Sequence, residues 1–215
     1  MIGLPIFRRE PPVLTGNQVV LRFPKRSDYA EWAALRRESR WFLEPWEPLW
    51  SPDELQRSAW HARMLRYRQE MAAGSAIAYF IFHKKNRSLL GGITIGNIRY
   101  GVSQSAQIGY WMGAQHAGNG FMQDAICALL DHAFTGMRLH RIEAACIPTN
   151  TRSMHVLEKA GFTREGLLRS YLRINGVWQD HCIYSLIADE HRQKLESMQD
   201  RQIPVSRDEN REAKL

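Results

Sequence analysis

The segment Gln115-His116-Ala117-Gly118-Asn119-Gly120 constrains this chain more than any other. It separates a strand-like run, Ala106 to Met112, from a run beginning at Phe121 in which Ala125, Leu129 and His132 or Ala133 recur at helical spacing. Glycines there let the backbone turn sharply and approach a ligand, and the first amides of a helix lack partners within it. A strand, a glycine loop and a helix in that order therefore predict either a plain tight turn or an anion site built from backbone amides. A Walker loop is excluded because no Lys-Ser or Lys-Thr follows the glycines, and the dinucleotide-binding pattern fails for want of a third glycine.

Around this unit the chain reads as alternating strands and helices. Gln18 to Phe23 predicts a first strand, and Ser27 and Asp28 precede a helix with Tyr29, Trp32, Ala33 and Leu35 at helical spacing. The tryptophan- and proline-rich stretch from residue 41 to 52 cannot be one regular helix and is expected to be an aromatic loop. A second helix is expected from Ser51 to Ala73, then strands over Ala76–His83, Leu89–Tyr100 and Ala106–Met112. After the loop and its helix, Arg141–Ile147 predicts a strand and Arg152–Lys159 a short helix closed by Gly161. Phe162–Ile174 and Val177–Leu186 form the last pair of strands, joined by Asn175-Gly176, a strong hairpin turn. The expectation is one α/β domain over residues 16–190, a mixed sheet flanked by helices, with a short extension at 1–15 and a charged, loosely held tail at 191–215.

The 215 residues suit one domain with a buried core. The longest apolar run, Ala76 to Phe82, is far below the roughly 20 residues that span a bilayer, and no secretory signal is visible, so a cytoplasmic protein without membrane attachment is expected. Cys127, Cys146 and Cys182 are odd in number and scattered, which suits free thiols. The eight histidines show no ligand spacing, so no metal is expected. A net charge of +7 predicts attraction to polyanions, for which coenzyme A and ribosomal RNA are both candidates.

Two strings carry the resemblance to a known family: IGYWMGAQHAGNGFM at 108–122, and RIEAACIPTNTRSMHVLEKAGF at 141–162 with Asn150, Ser153, Leu157, Gly161 and Phe162 in place. They resemble the GNAT acetyltransferases, whose Q-x-x-G-x-G loop cradles the coenzyme A pyrophosphate and whose N-x-x-S segment completes the pantetheine tunnel. The resemblance implies the GNAT fold, a mostly antiparallel sheet with acetyl-CoA bound between splayed central strands. It places Met112, Gly113, Gln115, His116, Ala117, Gly118, Asn119, Gly120, Phe121, Asn150 and Ser153 at the cofactor. Within the family, RWFLEPWEP at 40–48, GSAIAYFIF at 74–82 and LRINGVWQDHCIYSL at 172–186 are most similar to the RimJ type, with the RimL type a neighbour. That similarity implies transfer to the α-amine of a protein, a ribosomal protein starting with alanine.

An amine attacks a thioester only when neutral, and an α-amine, whose pKa in a short peptide is about 7.7–8.0, demands less of a base than lysine at about 10.4. Glu143, Glu44 and Glu47 are the candidate bases through water, and Glu143 reads equally as the partner of a surface arginine. Ser153, if it follows the family, can protonate the leaving thiolate; Tyr110 and Tyr171 are substitutes. A main-chain N–H near Met112 and Gly113 is the candidate oxyanion donor. Trp41, Leu43, Trp46, Glu47 and Tyr110 are expected to line the acceptor channel. Two other readings stand beside this one: a GNAT enzyme for a small-molecule amine or antibiotic, and a ribosome-associated RNA-binding factor using Arg57, Arg63, Arg66 and Arg68.

Overall fold

A computed structural model describes residues 10–200. Leu14–Thr15 (β1) and Val19–Arg22 (β2) lead to Tyr29–Glu38 (α1), Arg40–Leu43 (α2) and Arg57–Ala72 (α3). Ile77–His83 (β3), Leu89–Arg99 (β4) and Ser105–Met112 (β5) precede Phe121–Asp131 (α4) and Arg141–Cys146 (β6). Thr151–Ala160 (α5), Thr163–Ile174 (β7), Val177–Ile187 (β8) and Ala188–Asp200 (α6) complete it. The strands form one eight-stranded sheet in the order β1-β2-β3-β4-β5-β6-β8-β7. Every pairing is antiparallel except that of β5 with β6.

Alternation along the strands gives each face its own core. On one face, Leu21, Ile81, Ile93, Ile108 and Ile142 pack with Ala125, Ile126 and Leu129 of α4 and Leu157 of α5. On the other, Phe80 and Phe82 pack with Trp32 and Leu35 of α1 and with Trp60 and Met64 of α3. The rings of Trp32 and Trp60 lie 4.9 Å apart, and Trp60 reaches Phe80 at 5.9 Å. Each large side chain buried this way contributes about 1.5–3 kcal/mol, so the two helical layers are fixed mainly by these contacts.

The parallel register runs only from Ser105 opposite Arg141 to Ile108 opposite Ala144. Beyond it β5 stays paired with β4 as far as Met112, and β6 stays paired with β8 as far as Cys146. The two central strands therefore part, and a slot opens through the sheet.

Three boundaries differ from the sequence expectation. The second helix starts at Arg57 rather than Ser51: residues 51–56 turn so that Glu54 pairs with Arg63 and the Leu55 carbonyl accepts from the Tyr29 hydroxyl at 3.0 Å. The aromatic stretch is not all loop, because α2 and a 3-10 turn at Glu44–Trp46 give it a helical backbone up to Pro45 and Trp46. The loosely held tail expected from residue 191 is corrected over 191–200, which belongs to α6. His191 is buried there, with Nε2 2.8 Å from Asp131 Oδ1 and its ring 5.1 Å from Phe134, and these contacts dock the helix. The remainder of that tail, 201–215, and residues 1–9 lie outside the described residues.

Asp124 in the first turn of α4 accepts from the backbone N–H groups of Asn17, Gln18 and Val19 at 2.9, 2.7 and 3.1 Å. Gly16 permits that approach, since a Cβ there would fall 2.5 Å from the carboxylate. Asp124→Ala should lower the urea midpoint by the equivalent of ~2 kcal/mol, the typical worth of hydrogen bonds to a charged acceptor. Asp124→Asn should retain part of it.

Candidate active site

A cavity of about 990 Å³ passes through the slot. On the face covered by α4 and α5 its wall is built from Tyr110, Met112, Cys146, Asn150 and Ser153, with His116, Ala117, Gly118, Gly120 and Phe121 at the outer end. On the opposite face it is walled by Gly109, Trp111, Ala145 and His181 of the sheet and by Trp41, Phe42, Leu43, Trp46 and Glu47.

The outer end is an uncapped helix start. Gly118 and Gly120 have φ of 81° and 78°, the left-handed region that a side chain disfavours, and a Cβ at Gly118 would meet nothing within 4 Å. Among the described residues no side chain caps α4, which leaves the amides of its first turn available to an anion. Gln115 and Asn119 belong to the loop but do not line the cavity. Gln115 Nε2 lies 3.5 Å from Glu38, and the Asn119 amide donates back to the carbonyls of His116 and Ala117 at 3.3 Å. Burial, with His83 nearby, pushes the His116 imidazole below its ordinary pKa, which keeps the ring neutral over a wider pH range.

Met112 and Gly113 differ. The Gly113 amide donates to the Leu90 carbonyl at 2.8 Å, and a Cβ on it would clash with Leu35 at 2.4 Å. Gly113 is therefore a packing position and its amide is spent, which removes it from the pair expected to face the thioester. Successive amides of a strand point to opposite edges, so with Gly113 bonded to β4 the Met112 amide is turned toward the slot.

Asn150 is the N-cap of α5, its Oδ1 accepting from the Ser153 amide at 3.1 Å. The Ser153 hydroxyl sits 2.8 Å from the Tyr110 hydroxyl, which corrects the expectation that Tyr110 lines the acceptor channel: it shares strand parity with Ile108 and Met112 and faces α4 and α5 instead. Burial raises the Tyr110 phenol well above its ordinary pKa, so it stays protonated and can donate to Ser153. Cys146 stands beside them, its thiol pushed up to about 11 chiefly by burial. Two neutral hydroxyls and a neutral thiol suit protonation of a leaving sulfur on this face, and no strong nucleophile is present there.

The wall on the opposite face depends on Arg36, a residue to which the sequence alone assigned no role. Its buried guanidinium donates to Glu47 at 3.1 and 2.5 Å and lies 4.4 Å from the Trp50 ring and 5.1 Å from that of Trp111. Trp50 Nε1 also donates to Glu47 at 2.7 Å. Glu47 is thereby fixed at the cavity wall with most of its acceptor capacity committed. Ser39 does similar work, its hydroxyl accepting from the Ala114 amide at 2.8 Å and so joining α1 to the glycine loop. Leu43 is buried, Trp46 is half-buried and Trp41 is 72% exposed, which grades the wall from floor to rim.

Two carboxylates are removed as candidate bases. Glu143 lies on the face away from Tyr110 and Ser153, outside the cavity wall, bonded to Arg141 at 2.8 Å and to Gln107 at 3.2 Å. Arg141 also holds Glu165, whose carboxyl is drawn down to about 2 by that guanidinium and by Ser185. The catalytic assignment of Glu143 is thus corrected: Arg141 draws it into a surface network. Glu44 pairs with Arg40 at 2.7 Å and is likewise outside the wall. Tyr171 is outside it too, packed edge-on against His181 at 5.8 Å. Among the arginines of α3, Arg57 lies over Tyr29 at 4.5 Å, Arg63 pairs with Glu54 and Arg66 with Glu70 at 3.7 Å, so that basic helix is largely tied up locally. Among the described residues no cluster could hold a metal ion, and no helix is long and apolar enough to cross a membrane.

The profile of the family described as "Acetyltransferase (GNAT) domain" matches residues 18–163. The probable N-acetyltransferase YjcK of Bacillus subtilis is 33% identical over 181 residues, covering 84% of this chain and 100% of that protein. The ribosomal protein uS5-alanine N-acetyltransferase of Escherichia coli is 31% identical over 173 residues, 80% of this chain and 89% of that protein. Among solved structures, Mycobacterium smegmatis RimJ in complex with CoA-disulfide superposes with a TM-score of 0.80 at 33% identity, covering 87% of this chain and 95% of that one. With the splayed sheet, the uncapped glycine loop and these relatives in agreement, the chain belongs to the GNAT family and is an N-acetyltransferase.

Proposed function

We propose that this enzyme transfers the acetyl group of acetyl-CoA to the free α-amine of a protein N-terminus, that of a ribosomal protein beginning with alanine. The observation that carries this reading is the cavity that crosses the sheet, with an anion site at one end and an apolar, aromatic wall anchored by Glu47 at the other. The similarity to the uS5-alanine enzyme supports the choice of acceptor.

In this reading the amides of Gly118 to Met122 hold the pyrophosphate and the pantetheine arm runs through the slot. The amine enters between Trp41, Leu43 and Trp46 and, once neutral, attacks the thioester directly, without an acyl-enzyme. The Met112 amide supports the oxyanion. As the carbon–sulfur bond breaks, Ser153 donates its proton to the thiolate and is replenished by Tyr110.

Acetyl-CoA at about 100 times its dissociation constant should stabilise the fold by roughly 2.7 kcal/mol, read as a thermal shift. A bulky residue at Gly118 should abolish the shift in a protein that still folds, and no shift with the wild type at millimolar acetyl-CoA would contradict the cofactor site. Ser153→Ala should lower kcat about tenfold, the worth of one hydrogen bond formed only in the transition state, while leaving the acetyl-CoA KM within twofold. Unchanged turnover would make Ser153 a helix-start hydroxyl only.

The acceptor is tested with peptides differing in their first residue, beside a blocked peptide with internal lysine, spermidine and aminoglycosides, following thiol release and locating the acetyl group by mass spectrometry. An alanine peptide should be acetylated on its α-amine in preference to lysine, because a pKa gap of about 2.5 units leaves far more α-amine neutral at pH 7. Acetyl on lysine, or aminoglycosides much faster than every peptide, would overturn the N-terminal reading.

A further inference from the structure

The amine that attacks must shed a proton on the acceptor side of the sheet, and the carboxylates near it are committed. Glu143 and Glu44 lie outside the cavity wall, and Glu47 is held by Arg36 and Trp50. One titratable group of that wall has no such commitment. His181 lies on β8, only 3% exposed, and lines the cavity. Cys182 pairs with Cys146, and Ile183 with Ala145. Side chains alternate along a strand, so His181 falls with Ile183 and Ala145 on the face opposite Cys146, Tyr110 and Ser153. The ring is thus across the slot from the hydroxyls that serve the sulfur.

Its tautomer follows from one contact. Nδ1 lies 2.9 Å from the Gln179 carbonyl oxygen, which can only accept, so Nδ1 carries the hydrogen and the neutral ring keeps its lone pair on Nε2. Nε2 makes no hydrogen bond to any described residue, and the edge-on Tyr171 ring limits tilting of the imidazole.

We propose that His181 is the general base of the transfer, accepting at Nε2 the proton that the attacking amine loses, directly or through one water. This assignment rests on reading the α2 side of the cavity as the amine's entrance. The nitrogen lone pair forms the C–N bond, the C–S pair departs with sulfur, one amine proton passes to Nε2 and one hydroxyl proton passes from the Ser153–Tyr110 pair to the thiolate. The imidazolium then returns its proton through solvent to that pair, so the balance is amine plus acetyl thioester giving amide plus thiol.

The test uses His181→Asn, whose amide nitrogen can replace Nδ1–H toward Gln179 while removing the base, assayed with the amine that wild type acetylates fastest. Expected are a fall in kcat of about 100-fold, at the lower end of what a positioned base contributes, an acetyl-CoA dissociation constant within twofold, and partial recovery with added imidazole. A kcat within threefold of wild type, or an equal loss of acetyl-CoA binding without imidazole recovery, would overturn the assignment. If the variant does not fold, ¹⁵N-histidine NMR of wild type decides: the hydrogen of His181 on Nδ1 supports the proposal, and on Nε2 refutes it. Wild type that acetylates spermidine but no peptide would remove the N-terminal reading alone, and the variant would still decide the base on spermidine.

Discussion

The separation of β5 from β6 after Ile108 and Ala144 governs the rest of the structure. A continuous parallel ladder there would seal the sheet, satisfy the Met112 amide and leave the glycine loop facing a closed wall. Ending the ladder costs the hydrogen bonds of a few residues. It opens a passage whose two mouths lie on opposite faces, and those faces are chemically unlike. The α4–α5 face supplies backbone amides and neutral hydroxyls, suited to phosphate and sulfur. The opposite face supplies aromatic surface, a fixed carboxylate and an imidazole, suited to an amine.

The aromatic face is stabilised by a device that is costly on its own. A buried guanidinium loses its hydration, and Arg36 Nε has no hydrogen-bond partner among the described residues. The two-pronged bond to Glu47 and the faces of Trp50 and Trp111 offset that cost. Arg36 thereby links α1, the α2 segment and β5, so that this wall of the cavity is positioned by the sheet itself. Opposite it, Asp124 ties the start of β2 at Val19 to α4, and Asn150 sets the start of α5 where Ser153 can reach Tyr110.

Local signals in the sequence sufficed for the features that local chemistry determines. Glycines with positive φ, an Asn cap, Asn-Gly at a hairpin and strict alternation in β6 each carry their conformation within a few residues. Features set by distant partners were not legible. Glu143 alternates correctly for a strand, but the face it occupies is decided by β5 and β8, and its partner Arg141 draws it to the network around Glu165. Gly113 reads in sequence as a cofactor contact and, with Met112, as a candidate oxyanion donor, whereas Leu35, far away in sequence, explains it. The polar run after residue 190 hid a helix because its anchor, Asp131, lies sixty positions earlier. Arg36 did leave a trace, one turn beyond Trp32 on the apolar side of α1, and His181 shares its parity with Ile183; neither could be assigned until the opposing wall was known.

Amide hydrogen exchange with the two substrates added in turn would show whether the passage has a cofactor end and an acceptor end on opposite faces. Acetyl-CoA alone should slow exchange at Gly118 to Met122 and at Met112 and leave residues 41–47 unchanged, with an alanine peptide then protecting 41–47. Protection of 41–47 by acetyl-CoA alone, with the amides of the glycine loop unaffected, would refute this arrangement.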